Sequence, residues 1–291
     1  MAILVLGEAL IDEIDEKPIP GGSPFNIARA AAKLGASVHY AGAISYDNHG
    51  DNLLQELIAA GVSTGLVKRI AAPTAIVRVV GEPPQYLFSL RSSAALVFPS
   101  FQGYHPQWVS YGSVASLLEP FAASLLGYLH ESHAQHFFDP NLRPAALPPG
   151  FALAERVNEL AALADVIRLS SEDLALLPAD SPRTWLAGRT KAVIITRGAD
   201  HTSVRTRAGQ VDIPVFPATP FADSVGAGDT VSGALLTELS NLSVIPTALD
   251  CWKPLVVNAL AAAAITCTRV GAQPPTRAEV TRFLAARAGV Q

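Results

Sequence analysis

Asp223-Ser-Val-Gly-Ala-Gly-Asp229 runs directly into Thr230-Val-Ser-Gly-Ala-Leu-Leu-Thr-Glu-Leu239, a stretch with helical periodicity and composition. The glycines therefore sit at a helix N-terminus, where free backbone N–H groups and the helix dipole can hold a phosphate. Asp229, on the first turn, points to the same place and can accept a proton from an attacking hydroxyl. Gly226, Ala227 and Gly228 are the candidate anion hole and Asp229 the candidate base. Taken alone, the cluster is equally well explained as N-terminal capping, because Asp stabilises a first helical turn without any chemistry.

Around this turn, short β-branched runs alternate with amphipathic helical stretches, the pattern of a parallel sheet covered by helices on both faces. Strands are predicted at Ile3–Leu6, Ser37–Ala43, Trp108–Tyr111, His136–Phe138, Val166–Leu169 and Val193–Thr196, with a hairpin at 202–206 and 210–213. Between two of them, Leu153, Val157, Leu160, Ala161 and Ala164 share one face of a helix. Two stretches break the alternation, at about 11–19 and 66–90, where strand-like runs flank Gly81-Glu-Pro-Pro84. These read as a separate small antiparallel sheet, a lid over the main body.

Composition narrows the partners. The chain has 291 residues, 49% hydrophobic and 16% charged, which describes a folded globular protein. A net charge of −4 with no basic run offers nothing to a nucleic-acid backbone or an anionic membrane, so small-molecule partners are expected. Met1–Gly7 is too short for a signal segment and reads as a buried strand, and the alanine stretch 259–265 is too short for a membrane span. A cytoplasmic location follows as the expectation. Cys251 and Cys267 lack metal or redox spacing and read as buried free thiols, and His130, His133 and His136 lack the spacing of a metal site. No Gly-Lys dipeptide is present, which excludes a P-loop, and Gly226-x-Gly228 is not continued into a dinucleotide fingerprint.

Gly21-Gly-Ser-Pro-Phe-Asn26-Ile-Ala28 leads into a helical run ending at Gly35, about two hundred residues before the Asp223 stretch. Together the two resemble both signature motifs of the ribokinase (PfkB) carbohydrate kinase family, in the family's order. The resemblance covers essentially the whole chain. It implies a Rossmann-like, doubly wound, mostly parallel α/β sheet with a small antiparallel β-sheet lid, as a single domain over residues 1–291. It also implies ATP-dependent phosphorylation of a sugar hydroxyl, with Mg2+ bridging the phosphates, and a homodimer formed through the lid.

In that family the positions of Gly21, Gly22 and Asn26 hold sugar hydroxyls, and Asp12 in Gly7-Glu-Ala-Leu-Ile-Asp12 looks like the family's early hydroxyl-binding aspartate. Glycine lets a polyol approach the backbone, and an Asn amide both donates and accepts. Asp139-Pro-Asn-Leu-Arg143 is similar to a phrase in fructokinases and 2-keto-3-deoxygluconate kinases, which makes Asp139, Asn141 and Arg143, with Arg91, further candidates for the sugar. Fructose is the favoured substrate on motif similarity, with 2-keto-3-deoxygluconate or a ribokinase-like substrate as alternatives. A sugar-binding sensor without catalysis is the rival from another class.

The resemblance places Thr196, Gly198 and Asn258 at ATP, and Glu172 or Asp173 at the water of the magnesium ion, where Ser170-Ser-Glu-Asp173 stands for the family's Asn-x-x-Glu. It places a monovalent cation, K+ among the candidates, near Asp223 and the 269–271 loop. Helix capping by Ser170 or Ser171 explains the acidic pair equally well. His201 replaces a usual glycine in the ATP-contacting loop, and Ser45 replaces the last glycine of the first motif.

Overall fold

The computed structural model describes all residues except 1, 15, 81–84, 91–92, 102 and 289–291, so Arg91 lies outside the described residues. In β1 (Ala2–Leu6), Ile3 and Val5 enter one hydrophobic core while Leu4 and Leu6 enter another, all four fully buried. A strand apolar on both faces belongs inside a parallel sheet covered on both sides. The chain continues through β2 (Leu10–Ile14), β3 (Lys17–Gly21), α1 (Ser23–Lys33), β4 (Ser37–Ala41), β5 (Ala43–Ser45) and α2 (Asn48–Ala59). Next come β6 (Lys68–Ile70), β7 (Ala75–Val80), β8 (Gln85–Phe88), β9 (Trp108–Gly112), α3 (Ser113–Leu117), α4 (Phe121–Glu131) and β10 (Gln135–Asp139). After these follow α5 (Leu153–Ala161), β11 (Val166–Ser170), α6 (Ser171–Ala175), α7 (Ser181–Ala187) and β12 (Ala192–Thr196). The last third holds β13 (His201–Thr206), β14 (Gly209–Pro214), α8 (Ala227–Ser240), α9 (Leu249–Thr266) and α10 (Arg277–Ala288).

The main sheet has the order β14-β13-β12-β11-β10-β9-β1-β4, parallel from β4 to β12 and closed at one edge by the antiparallel β13–β14 hairpin. From β1 the chain goes first to β4 on one side and later to β9 on the other. The strand order reverses there, and ligands of open α/β sheets bind outside the C-terminal strand ends at such a point. Helices α1, α2, α8, α9 and α10 bury one face, and α3, α4, α5 and α7 the other. Val157, Leu160, Ala161 and Ala164 are fully buried on the α5 side, as their spacing predicts.

The small sheet has the order β3-β2-β7-β8. It is antiparallel within its two hairpins and parallel where β2 meets β7. One strand of the 66–90 stretch goes elsewhere: β6 pairs with β5, in parallel. Helix α9 is longer than the alanine stretch suggests, and its 18 residues are apolar enough by length and composition to cross a membrane. Trp252, Val256, Ala259, Ala261 and Ala262 are nevertheless fully buried in the same core as α1 and α8. Of the two thiols, Cys251 is exposed, against expectation, because it falls on the outer side of the first turn of α9, whereas Cys267 is half-buried.

Asp47 joins the body to the small sheet. It caps α2 by accepting the Gly50 N–H at 2.7 Å, and it also accepts the amide and hydroxyl of Thr74, at 2.8 and 2.6 Å, just before β7. Ser45, in its glycine position, supports this turn by accepting the Asp47 N–H at 3.0 Å. Burial alone would raise the Asp47 carboxyl, but the bonds from Thr74, Gly50 and Ser45 outweigh it and hold the group at about 2. A depressed carboxyl stabilises the fold above its unfolded pKa of about 4 and loses that contribution as pH falls toward the folded value. Asp47→Ala is therefore expected to lower stability by about 2 kcal/mol at neutral pH, with a gap to wild type that narrows below about pH 4. Urea melts at pH 7 and pH 3 read this directly, and an equal gap at both would contradict it.

Candidate active site

The two glycine motifs meet face to face. Asp229 is on the first turn of α8, and its two oxygens accept the Ser23 hydroxyl at 2.7 Å and the Asn26 amide at 2.9 Å, both from the first turn of α1. Burial pushes the Asp229 carboxyl up from its ordinary value, against the lowering effect of these two bonds and of the Arg168 and Arg143 charges. A carboxylate so placed is a stronger base than an exposed one. Asn26 is buried, and its Oδ1 has no protein partner among the described residues, which leaves an acceptor for a ligand hydroxyl.

The turn that opens α8 depends on glycine. Gly226 takes a left-handed conformation with φ 74°, and a Cβ there would lie 2.5 Å from the Ala272 Cβ. Asp223 straps this turn to the next loop by accepting the N–H groups of Val225 at 2.8 Å and Gly271 at 2.7 Å. One expectation is corrected: the Ala227 N–H is already used, donating to the Ser224 carbonyl at 3.1 Å within the tight turn. The N–H groups of Gly226 and Gly228 have no acceptor among the described residues.

Asp12 of β2 lies directly against Gly21 of β3, where a Cβ would sit 2.1 Å from the carboxylate. Gly22, with φ 100°, caps α1 against the Glu8 carbonyl. Glycine at these two positions thus makes room for protein atoms as well as for a ligand. Burial, then the neighbouring Asp229 charge, lifts Asp12 to about 6, and Arg143 opposes the rise. Arg143 is exposed, its Nη1 donating to the adjacent Leu142 carbonyl at 2.9 Å, and Asn141 is half-buried with φ 39°.

Asp139 does not fit its expected place on the sugar. It is 1% exposed, pairs with Arg168 at 3.2 Å and accepts the Ser232 hydroxyl of α8. Its carboxyl is lifted to about 6 by burial, against Arg168 and Ser232. Its Oδ1 has no partner among the described residues. Asp173 is spent: its oxygens accept the Leu142 N–H at 2.7 Å and the Ser170 amide and hydroxyl at 2.9 and 2.8 Å in a capping box. That leaves Glu172 as the open carboxylate, held below its ordinary value by its own backbone amide first and then by the Ser170 and Ser171 hydroxyls and the Arg168 charge.

Thr196 ends β12 and is half-buried, and Gly198 turns the following loop with φ 52°. His201, in the usual glycine position, is the first residue of β13 and pairs with Pro214. Asn258 is not brought together with these residues. It lines a shallow groove of about 100 Å³ with Leu34, Ala234, Glu238 and Arg277, among others. Glu238 stands nine residues beyond Asp229 on α8, about 13 Å along the axis.

Sequence reasoning missed three contributors. Ser23 lies inside the quoted first motif, two residues after Gly21, and a hydroxyl beside the helix start was its signal. Glu8, 2% exposed, accepts the Ala115 N–H at 3.1 Å and ties the end of β1 to α3. Arg168 interrupts the apolar run Val166-Ile-Arg-Leu169, and a charge within a central strand asks for a partner. Of the three histidines, His136 is buried with its Nδ1 2.8 Å from the Leu163 carbonyl, and no group of three potential metal ligands occurs among the described residues.

A mostly parallel sheet with a glycine-opened helix and a half-buried carboxylate near its switch point is an arrangement suited to phosphoryl transfer. Residues 7–279 match the pfkB family carbohydrate kinase, and the chain belongs to that family. It is a sugar kinase. A fructokinase of Rhizobium leguminosarum bv. trifolii is 29% identical over 259 residues, covering 81% of this chain and 79% of the relative. The fructokinase of Xylella fastidiosa with bound ATP superposes with a TM-score of 0.88 at 25% identity, covering 99% of each chain. The fructokinase of Vibrio cholerae O395, in a form with bound fructose, ADP and calcium ion, gives 0.84 at 26% identity and covers 97% of this chain and 98% of its own.

Proposed function

We propose that the chain, acting as one domain over residues 1–291, transfers the γ-phosphoryl group of ATP to a primary hydroxyl of fructose. The observation that carries the reading is the clamp of Ser23 and Asn26 on Asp229, beside the unspent N–H groups of Gly226 and Gly228. Asp12, the Gly21–Gly22 backbone, Asn26 Oδ1, Asn141 and Arg143 hold the sugar, and Asp229 removes the proton as the hydroxyl attacks. Gly226 and Gly228 donate to the transferring group, where charge spreads onto its oxygens. ATP lies along Thr196 and Gly198, with the role of Asn258 resting on the family resemblance alone. The relatives that carry ATP, or fructose with ADP, support both ligands.

The donor set fits Mg2+, which usually takes one or two carboxylates, waters and substrate phosphates rather than an all-protein cage. Glu172 would hold it through water, and when bound the ion neutralises phosphate charge. Asp223 and the 269–271 loop are the candidate surroundings of a monovalent cation such as K+. The same reading places the enzyme in the cytoplasm, and as a homodimer through the small sheet, whose edge strand β8 carries Leu87 at 53% exposure.

An ADP-release panel of fructose, 2-keto-3-deoxygluconate, ribose, tagatose and adenosine tests this. Fructose is expected to lead in kcat/KM by at least about tenfold. A preference for ribose or adenosine overturns the substrate, and sugar binding without ADP release from any of the five turns the reading toward a sensor.

A further inference from the structure

Asp139, Arg168 and Thr196 stand on three adjacent parallel strands and on the α8 face, Asp139 and Thr196 at their C-terminal ends and Arg168 in the middle of β11. That face is set by alternation, since Phe137, Val166 and Ile194, each two residues earlier, enter the core shared with α8. Arg168 Nη1 pairs with Asp139 Oδ2 at 3.2 Å, and its Nη2 donates to Thr196 Oγ1 at 2.6 Å. The side chain is 7% exposed, and its Nε has no partner among the described residues. The guanidinium lies against the first turn of α8: a Cβ on Gly228 would meet Nη2 at 2.8 Å and Nη1 at 2.9 Å.

We propose that Arg168 is a positioning residue for phosphoryl transfer, setting the Thr196 hydroxyl as a donor to the nucleotide phosphate and placing a fixed positive charge behind the helix terminus that receives the transferring group. The first part follows from hydroxyl chemistry. Thr196 Oγ1 already accepts from Arg168, its own proton has no acceptor among the described residues, and the residue is only half-buried at the end of β12. The second follows from dielectric, because a charge buried beneath backbone donors acts on developing phosphate charge far more strongly than one in water. A buried ion pair rarely gains stability over an apolar replacement, so stability alone gives little reason for the Asp139–Arg168 pair. The charge is also felt at Asp229 and Glu172, both of which it holds lower.

The inference rests on the kinase reading, and its test separates the two. Arg168→Met removes the charge but strands Asp139, so Arg168→Met/Asp139→Asn is made beside it to keep the fold. In the folded variant kcat is expected to fall roughly 100-fold with the sugar KM within about threefold. Affinity for a non-hydrolysable ATP analogue should weaken about tenfold, with adenosine binding unchanged, because only the phosphates meet the charge. In Arg168→Met, where Asp139 keeps its carboxyl, the acid limb of the kcat/KM profile should move to higher pH as Asp229 loses a neighbouring cation. Arg168→Lys should restore part of kcat. A folded double variant with wild-type kcat and analogue affinity overturns the proposal, as does failure of both variants to fold, which marks a clamp for the fold alone. Should wild type turn over none of the sugars, loss of analogue binding with adenosine binding kept sustains the role of Arg168 while the substrate reading falls.

Discussion

Asp229→Asn is expected to lower kcat about 1,000-fold while leaving the fold and the sugar KM nearly unchanged. The clamp explains why so small a change is selective. Wild-type Asp229 accepts from Ser23 on one oxygen and from Asn26 on the other. An Asn at this position keeps one acceptor, which Asn26 can use, and offers its NH2 to Ser23, whose hydroxyl accepts as readily as it donates. Geometry survives and basicity does not. ADP release at saturating sugar and ATP, beside a thermal melt, measures both, and a kcat within about tenfold of wild type would remove Asp229 from the chemistry. Because burial lifts the carboxyl, the wild-type rate should begin to fall, on acidification, at a higher pH than an exposed aspartate would allow.

Gly226→Ala should cost both activity and stability. At φ 74° any side chain carries a penalty of about 1–2 kcal/mol, and a Cβ 2.5 Å from Ala272 adds about 1–3 kcal/mol of overpacking. The loop at Ala272 cannot simply retreat, because Asp223 holds Gly271 and Arg29 Nη1 donates to the Ala272 carbonyl at 3.2 Å. The turn must move instead, carrying the Gly226 and Gly228 N–H groups off the transferring phosphoryl, for a loss on the order of 100-fold in kcat. A melting temperature and kcat both close to wild type would show that the turn is neither tight nor used.

What was legible in the chain follows from sequence distance. Gly21–Asn26 and Asp223–Asp229 each fit within one turn and one helix start, so local rules read them, and apolar strands announced the sheet. Asp139 was misread because its partner comes 29 residues later on the next strand, and nothing local says that a strand-end acid will be roofed over. Ser170–Asp173 could be read as capping or as a metal segment, and the structure shows that Asp173 caps while Glu172 stays open. The β5–β6 pair was hidden by its brevity, three residues on each side.

The parallel contact between β2 and β7 fuses two hairpins into a single plate, attached to the body at the end of β1 and at the Asp47–Thr74 strap. The end of β3 also runs through Gly22 into α1, so the plate is tied to the body beside the base of the cleft as well. Asp12 rides on the plate and Asp229 on the body. On the proposed reading, the seating of this plate therefore sets the span between the carboxylate that would grip the acceptor and the one that would deprotonate it.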